Sequence, residues 1–318
     1  MRFVIAGCLM CLGAASALAQ EAFPSKTLRL VVPWPPGGPP DLVARVTAAK
    51  ISEKGMPVIV ENRAGATGSI GTNVVVMSAP DGHTLLFTSN QPIVIAPALF
   101  RTPYDPTKDI KPVAIFGESA NVLVISPSLG IKSVAELITA ARARPGALTF
   151  SSAGQGSIGH FCGEMIKHIT GVDMLHVPYQ GTTQAVSAVL AGEVSMSCSS
   201  HLLTTPHMNT GRLKALGTTG TRVSRFLADT PPLAAQGLKG LAVTAWYGIF
   251  APPKISQPLM LRLREIFHKV FQERDVQQKL EAAGIEQLWE EEDESAARIE
   301  ADLARYRGVV QAAQIKVQ

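Results

Sequence analysis

The chain has 318 residues, of which 46% are hydrophobic and only 17% charged, with a mean hydropathy of +0.19 and a net charge of +4. That is enough chain for two domains with proper cores, and too regular in pattern for disorder. The weak basicity is scattered rather than clustered, which argues against nucleic acid as a partner.

Residues 1–19 stand apart from the rest. Arg2 precedes an apolar run from Phe3 to Ala17, and Ala17-Leu18-Ala19 supplies the small residues of a cleavage site before Gln20. This reads as a secretory signal peptide, too short and wrongly flanked for a stable anchor, and the mature protein is expected to be exported to the periplasm as a soluble monomer. Ile5-Ala6-Gly7-Cys8 has the look of a lipobox, but only a few apolar residues would precede its cysteine. Cys8 and Cys11 leave with the leader; Cys162 and Cys198 remain, and spacing alone does not say whether they meet.

Downstream, short apolar runs alternate with segments of helical period. Strands are expected over 28–32, 58–61, 84–88, 113–116 and 122–125, and helices over 42–51 and 70–79. Strand followed by helix, repeated, predicts an α/β protein with parallel sheets covered on both faces. In the middle block, Ser133-Val134-Ala135-Glu136 is a capping box that opens a helix to about Arg144. Strands near 148–151, 174–177, 194–198 and 213–218 then alternate with helices over 158–170 and 182–191. After an apolar strand-like run over 241–250, the last third is helical over 259–272, 276–283 and 295–313. Gly284 is a natural helix stop, and Glu290-Glu291-Glu292-Asp293-Glu294 reads as a solvated acidic helix start. Two extended crossings bracket the middle block, predicting one lobe from 20–123 plus 245–318, a second from 124–244, and a ligand cleft between them.

Four turn-rich loops follow predicted strands. The first is the corner Pro33-Trp34-Pro35-Pro36-Gly37-Gly38-Pro39-Pro40-Asp41, in which Asp41 is a plausible N-cap. The others are 62–71, Thr88-Ser89-Asn90-Gln91, and 151–157. Glycine lets a ligand approach the backbone, turn N–H groups form anion-binding nests, and serine and threonine add neutral donors. Together they suit a carboxylate.

Other chemistries fit less well. Gly154-Gln155-Gly156-Ser157-Ile158-Gly159 matches GxGxxG, but Pro178-Tyr179-Gln180 stands where the ribose-binding acid should be, so no cofactor is expected. Neither Ser69 nor Ser157 completes GxSxG. His160, Cys162, Glu164 and His168 share parts of one helix, and Cys198, His201 and His207 form a looser group, yet neither has structural-zinc spacing. No metal and no catalytic residue is expected.

Several ordered motifs carry a resemblance over nearly the whole mature chain. The segment from Arg29 to Asp41, Val60-Glu61-Asn62-Arg63-Ala64-Gly65-Ala66, Pro80-Asp81-Gly82-His83-Thr84-Leu85, Ser151-Ser152-Ala153-Gly154 and His176-Val177-Pro178-Tyr179-Gln180-Gly181 resemble the Bug, or tripartite tricarboxylate transporter, substrate-binding proteins. The resemblance implies a two-lobed, type II-like Venus-flytrap fold with a central mixed sheet flanked by helices in each lobe. It implies a protein that captures a small carboxylate for membrane transporter subunits, or for a sensor, and that is not an enzyme. Carried over by position, one carboxylate would be held by Pro36, Gly37, Gly38, Ala66, Thr67 and Ser89, and the distal end by Ser152, Ala153, Gly156, Ser157, His160 and Tyr179. Family members often have a Phe-Asp-Asn type run where this chain has Ser197-Cys198-Ser199, and lysine where it has Gln180. Cys198 at the site then implies a ligand without a cationic amine, a dicarboxylate or an aromatic carboxylate. The rival reading is an exported hydrolase or lyase that uses the same pocket.

Overall fold

The computed structural model describes residues 23–315, so the leader expected over 1–19 lies outside the described residues. The chain begins with β1 (Leu28–Val32), α1 (Pro39–Glu53), β2 (Val58–Asn62), α2 (Ser69–Val76), β3 (Thr84–Ser89), α3 (Ala96–Leu99) and β4 (Lys111–Ser119). It continues with β5 (Asn121–Ile125), α4 (Val134–Ala143), β6 (Thr149–Ser152), α5 (Ile158–Thr170), β7 (Leu175–Pro178), α6 (Thr182–Leu190), β8 (Met196–Ser200), α7 (His201–Asn209) and β9 (Lys214–Thr218). It closes with β10 (Ala245–Ala251), α8 (Gln257–Phe271), α9 (Arg274–Ala282), β11 (Glu286–Glu290) and α10 (Glu292–Ala312).

Two sheets result, in the orders β11-β4-β10-β3-β1-β2 and β7-β6-β8-β5-β9. The fold is α/β and two-lobed, with helices flanking each sheet. The strand-helix alternation leads one to expect parallel sheets, and it holds only where a helix crosses over: β1 runs parallel to β2 and β3, and β6 to β7 and β8. The returning strand β10 instead enters antiparallel between β3 and β4, and β5 lies antiparallel between β8 and β9. Both sheets are therefore mixed.

β4 ends in the first sheet at Ser119, and β5 begins in the second at Asn121. The return crossing runs from β9 to β10. The two crossings are bonded to each other: Asn121 N–H donates to Thr219 Oγ1 (2.9 Å), Thr219 N–H to Asn121 O (2.8 Å), and Val243 N–H to Thr219 O (3.1 Å).

Apolar side chains fill the layers behind each sheet. Phe116 stacks on Phe271 with ring centroids 4.4 Å apart, and Trp246 is fully buried with its indole N–H donated to Asp302 Oδ2 at 2.8 Å. Each such ring stabilises the fold by roughly 2–3 kcal/mol through area alone. The tail helix α10 also reaches the second lobe, where Tyr306 meets the edge of Phe161 on α5 at 4.8 Å.

Local signals place most elements. Glu136 N–H donates to Ser133 Oγ (3.1 Å) at the start of α4, and Gly284, with φ +70°, follows α9 as its stop. Some readings need correction. Asp41 is not the N-cap of α1: Gly38 is, and Asp41 sits in the first turn behind two prolines. Glu290 is not part of a solvated helix start but the last residue of β11, half-buried and paired with Arg298 at 2.6 Å. Helix α7 carries no apolar stripe and holds Pro206 inside it, so periodicity does not reveal it.

Candidate ligand-binding cleft

The two loops that face each other across the lobes are built in different ways. At the end of β1, Pro33, Pro35, Pro36, Pro39 and Pro40 supply no N–H donors, and the turn is completed by Gly37 at φ +92°. Asp41, 1% exposed, clamps it: Oδ2 accepts from Gly37 N–H (2.9 Å) and Arg45 Nε (3.0 Å), and Oδ1 from Asn62 Nδ2 (2.9 Å). The same amide donates to Trp34 O (3.0 Å), joining the corner to the end of β2. Burial pushes the Asp41 carboxyl up, but the bonds from Arg45, Gly37 and Asn62 outweigh it and hold the pKa below the ordinary carboxylate value. The Gly37 N–H is thus already engaged within the chain.

Across the cleft, the loop after β6 is shaped by hydroxyls and imidazoles. Ser157 is the N-cap of α5: its Oγ accepts from His160 N–H (3.3 Å) and donates to Gly154 O (2.7 Å). The His160 ring holds the loop from behind, with Nδ1 accepting from Gly156 N–H at 3.1 Å. It stacks on His176 with centroids 4.1 Å apart, and His176 Nε2 lies 2.7 Å from Ser152 Oγ. Burial first, then the charges of His176 and Lys167, holds the His160 pKa down to about 4. Burial and Lys167 hold His176 to about 4 as well. Both rings are neutral near pH 7, as an accepting Nδ1 requires.

Cys162 and Cys198 form a disulfide that ties α5 to β8. The Cys198 sulfur is therefore not a free thiol and does not titrate. Gly159 lets the helix lie close on this strand, since a Cβ there would stand 2.9 Å from Cys198 O. The GxGxxG spacing thus serves loop turning and helix-to-strand packing.

Two adjoining chambers open between the loops. One, of about 410 Å³, is lined by Trp34, the proline corner, Ser89, Asn90, Gln91, Ala245 and Tyr247 of the first lobe and by Ile158 of the second. The other, of about 180 Å³, is lined by Asn121, Ala153, Ser157, Gly159, Thr182, Cys198, Ser199 and Ser200, again with Ile158 and Gln91. Among the described residues, no Lys, Arg, Asp or Glu lines either chamber. Tyr247 is a neutral donor, its hydroxyl pushed up to about 12 by burial.

Of the residues singled out from the sequence, Pro36, Gly38 and Ser89 line the first chamber, and Ala153, Ser157 and Cys198 the second. The others stand back from both linings. Ala66 and Thr67 occupy the short turn before α2, at φ 47° and 53°. Ser152 is 1% exposed beneath its loop, and Gly156 faces Leu99 of α3, which a Cβ would approach to 2.7 Å. Tyr179 is half-buried and donates its N–H to Ser152 O at 2.9 Å. Trp34, Gln91, Asn121, Ile158, Thr182, Ser199, Ser200 and Tyr247 were not singled out. Tyr247 lies within a run that reads as a core strand, Ser199 directly follows the strand expected over 194–198, and Asn121 begins a crossing, so nothing local marks them.

Glu164 pairs with Lys167 at 2.9 Å, His201 stacks on Phe226, and no group of three or more potential metal ligands occurs among the described residues. Ser152 and His176 do touch, but the serine is buried off the cleft.

Comparison with known proteins places the chain in a family. The family model "Tripartite tricarboxylate transporter family receptor" matches residues 43–315. Protein BugT of Bordetella pertussis is 31% identical, covering 94% of this chain and 92% of its own. A structure of Rhodopseudomonas palustris Rpa4515 with adipate superposes with a TM-score of 0.74 at 29% identity, over 92% of this chain and 99% of the other. MatC (Rpa3494) of the same organism, with bound malate, gives 0.69 at 29% identity, over 91% and 100%. The chain belongs to the tripartite tricarboxylate transporter receptor family of Bug-type binding proteins.

Proposed function

We propose that the protein is an extracytoplasmic solute receptor that closes its two lobes on a small carboxylated metabolite and delivers it to a tripartite tricarboxylate-type transporter. One observation carries the reading: the two chambers meet between the lobes, hydroxyl and amide residues of both lobes stand in their linings, and none of the described residues that line them is charged. Neutral donors hold an anion without the deep trap of a buried ion pair, so a ligand bound this way can be released. Similar proteins holding adipate and malate support a carboxylate as the cargo. Differential contact with both lobes would make the liganded form the closed one. The periplasm is the compartment this role requires.

Titration calorimetry against di-, tri- and aromatic carboxylates tests the proposal, with thermal unfolding alongside. A cognate ligand at a hundred times its Kd stabilises the fold by about 2.7 kcal/mol. Folded protein that neither binds nor is stabilised by any carboxylate at millimolar concentration overturns it. Loss of carboxylate uptake from cells lacking this chain is expected if the partner is a transporter; unchanged uptake assigns the receptor to a sensor.

A further inference from the structure

We infer that a polar latch beside the lobe crossings, outside the cleft, holds the two cleft walls together before any ligand arrives, with Arg222 and Arg225 as its positioning residues. Resting on the receptor reading above, this makes affinity depend on residues that touch no ligand.

Just past β9, the segment Thr221-Arg222-Val223-Ser224-Arg225-Phe226 crosses toward the edge of the first lobe formed by β4, β11 and α9. Its footing is in the second lobe: Leu227 is buried with Val122, Val124 and Leu213, and Phe226 stacks on His201 of α7 with centroids 4.8 Å apart. Its polar groups reach the other lobe. Arg222 Nη2 lies 2.9 Å from Glu118 Oε1, Arg225 Nη1 lies 3.0 Å from Glu281 Oε1, and Ser224 Oγ donates to Glu286 Oε1. Alongside, His201 and Leu202 press on Gly284 between α9 and β11, where a Cβ would stand 2.8 Å from each. None of these residues lines either cleft chamber.

The cleft walls meet in the same arrangement. Ile158 and Gln91 line both chambers, and Gly156 of the second lobe lies so close to Leu99 of the first that a Cβ would stand 2.7 Å from it. Contacts that stabilise this arrangement raise the fraction of protein ready to hold a ligand, and the apparent Kd falls in proportion. The latch can also be cut cleanly. Arg222 and Arg225 are about half exposed, and Glu118, 8% exposed, keeps Arg298 of α10 as a partner at 2.5 Å when Arg222 is lost. Removing both arginines therefore breaks the link between lobes without leaving a buried carboxylate unpaired, and each lobe should stay folded.

Small-angle X-ray scattering of the purified, ligand-free mature protein decides the matter. The double variant Arg222→Ala/Arg225→Ala, checked for folding by circular dichroism, should have a radius of gyration about 1 Å larger than the unmodified protein, against the ~19 Å of a compact chain this long. An unchanged radius overturns the inference. In calorimetry with adipate as the probe, the double variant should bind about fivefold more weakly, as a fivefold fall in the ready fraction requires. Equal or tighter binding also overturns it. Reversing one pair, with Arg225→Glu and Glu281→Arg together, should keep the original radius and affinity, and a loss as large as the double variant's overturns the ion pair as the cause. Should the double variant not fold, Arg225→Glu alone gives the same two readouts. If adipate binds neither protein, the carboxylate reading is what suffers, and the scattering result still decides the latch.

Discussion

The proline corner and the serine-histidine loop do the same mechanical work, each turning a strand into a helix at the cleft wall, but they reach rigidity by opposite routes. In the corner, covalent restriction of φ does most of the ordering, and one buried carboxylate, Asp41, gathers the few donors left. The facing loop has glycines that would leave it mobile, so it is held by a network: Ser157 at the helix cap, His160 on Gly156, His176 on Ser152, and the Cys162–Cys198 bridge behind. The first strategy leaves a wall in which Trp34 and the prolines stand beside Ser89, Asn90 and Gln91. The second leaves one of serine and threonine residues around the start of α5.

The comparison can be broken in order of expected effect. Removing the bridge with Cys162→Ser and Cys198→Ser together should cost about 3 kcal/mol of stability, read by urea unfolding, and should weaken ligand binding because β8 and α5 both line the smaller chamber. Full stability in the double variant would mean that the hydrogen bonds alone hold the loop. Asp41→Ala comes next. It strips the corner of its clamp and should cost about 2 kcal/mol, because Gly37 N–H and Asn62 lose a charged partner. A loss below half of that would show that the prolines suffice. Ser157→Ala removes the cap of α5 and should cost about 1 kcal/mol, with Ser157→Asn restoring most of it.

A separate test concerns pH. The folded pKa values of His160 and His176 are held down to about 4, below the ordinary histidine value of 6.5, so between those limits the unfolded chain binds more protons than the folded one. Their contribution to stability is complete above pH 6.5 and is lost as pH falls toward 4. His160→Gln should flatten the pH dependence of the unfolding midpoint across that window. An unchanged slope would remove the imidazoles from the account of how the loop is held.

Much of this was legible in the chain itself. The strands β1, β3 and β5, the Ser133 N-cap, the Gly284 stop and the helix α5 all follow from local period and local stereochemistry, which act within a few residues, although Glu136 takes the N–H of Lys132 and so does not close the expected capping box. The loops that would form the cleft announced themselves through proline, glycine and serine, because each needs unusual backbone angles or a missing donor. Their ordered motifs also marked the family.

Which residues of those loops line the two chambers depends on tertiary structure. Gly37 looks available until Asp41 folds back on its N–H, and His160 looks like a ligand contact until its ring turns to Gly156. Tyr247 has the local character of a core strand, and Tyr247 and Ser199 line the chambers because β10 begins and β8 ends beside them. The pairing of Cys162 with Cys198, far apart in the chain, is likewise a matter of how α5 lies on β8. Local propensity sets angles and periods, whereas the partner of a donor and the face that a side chain shows depend on what the rest of the chain brings beside it.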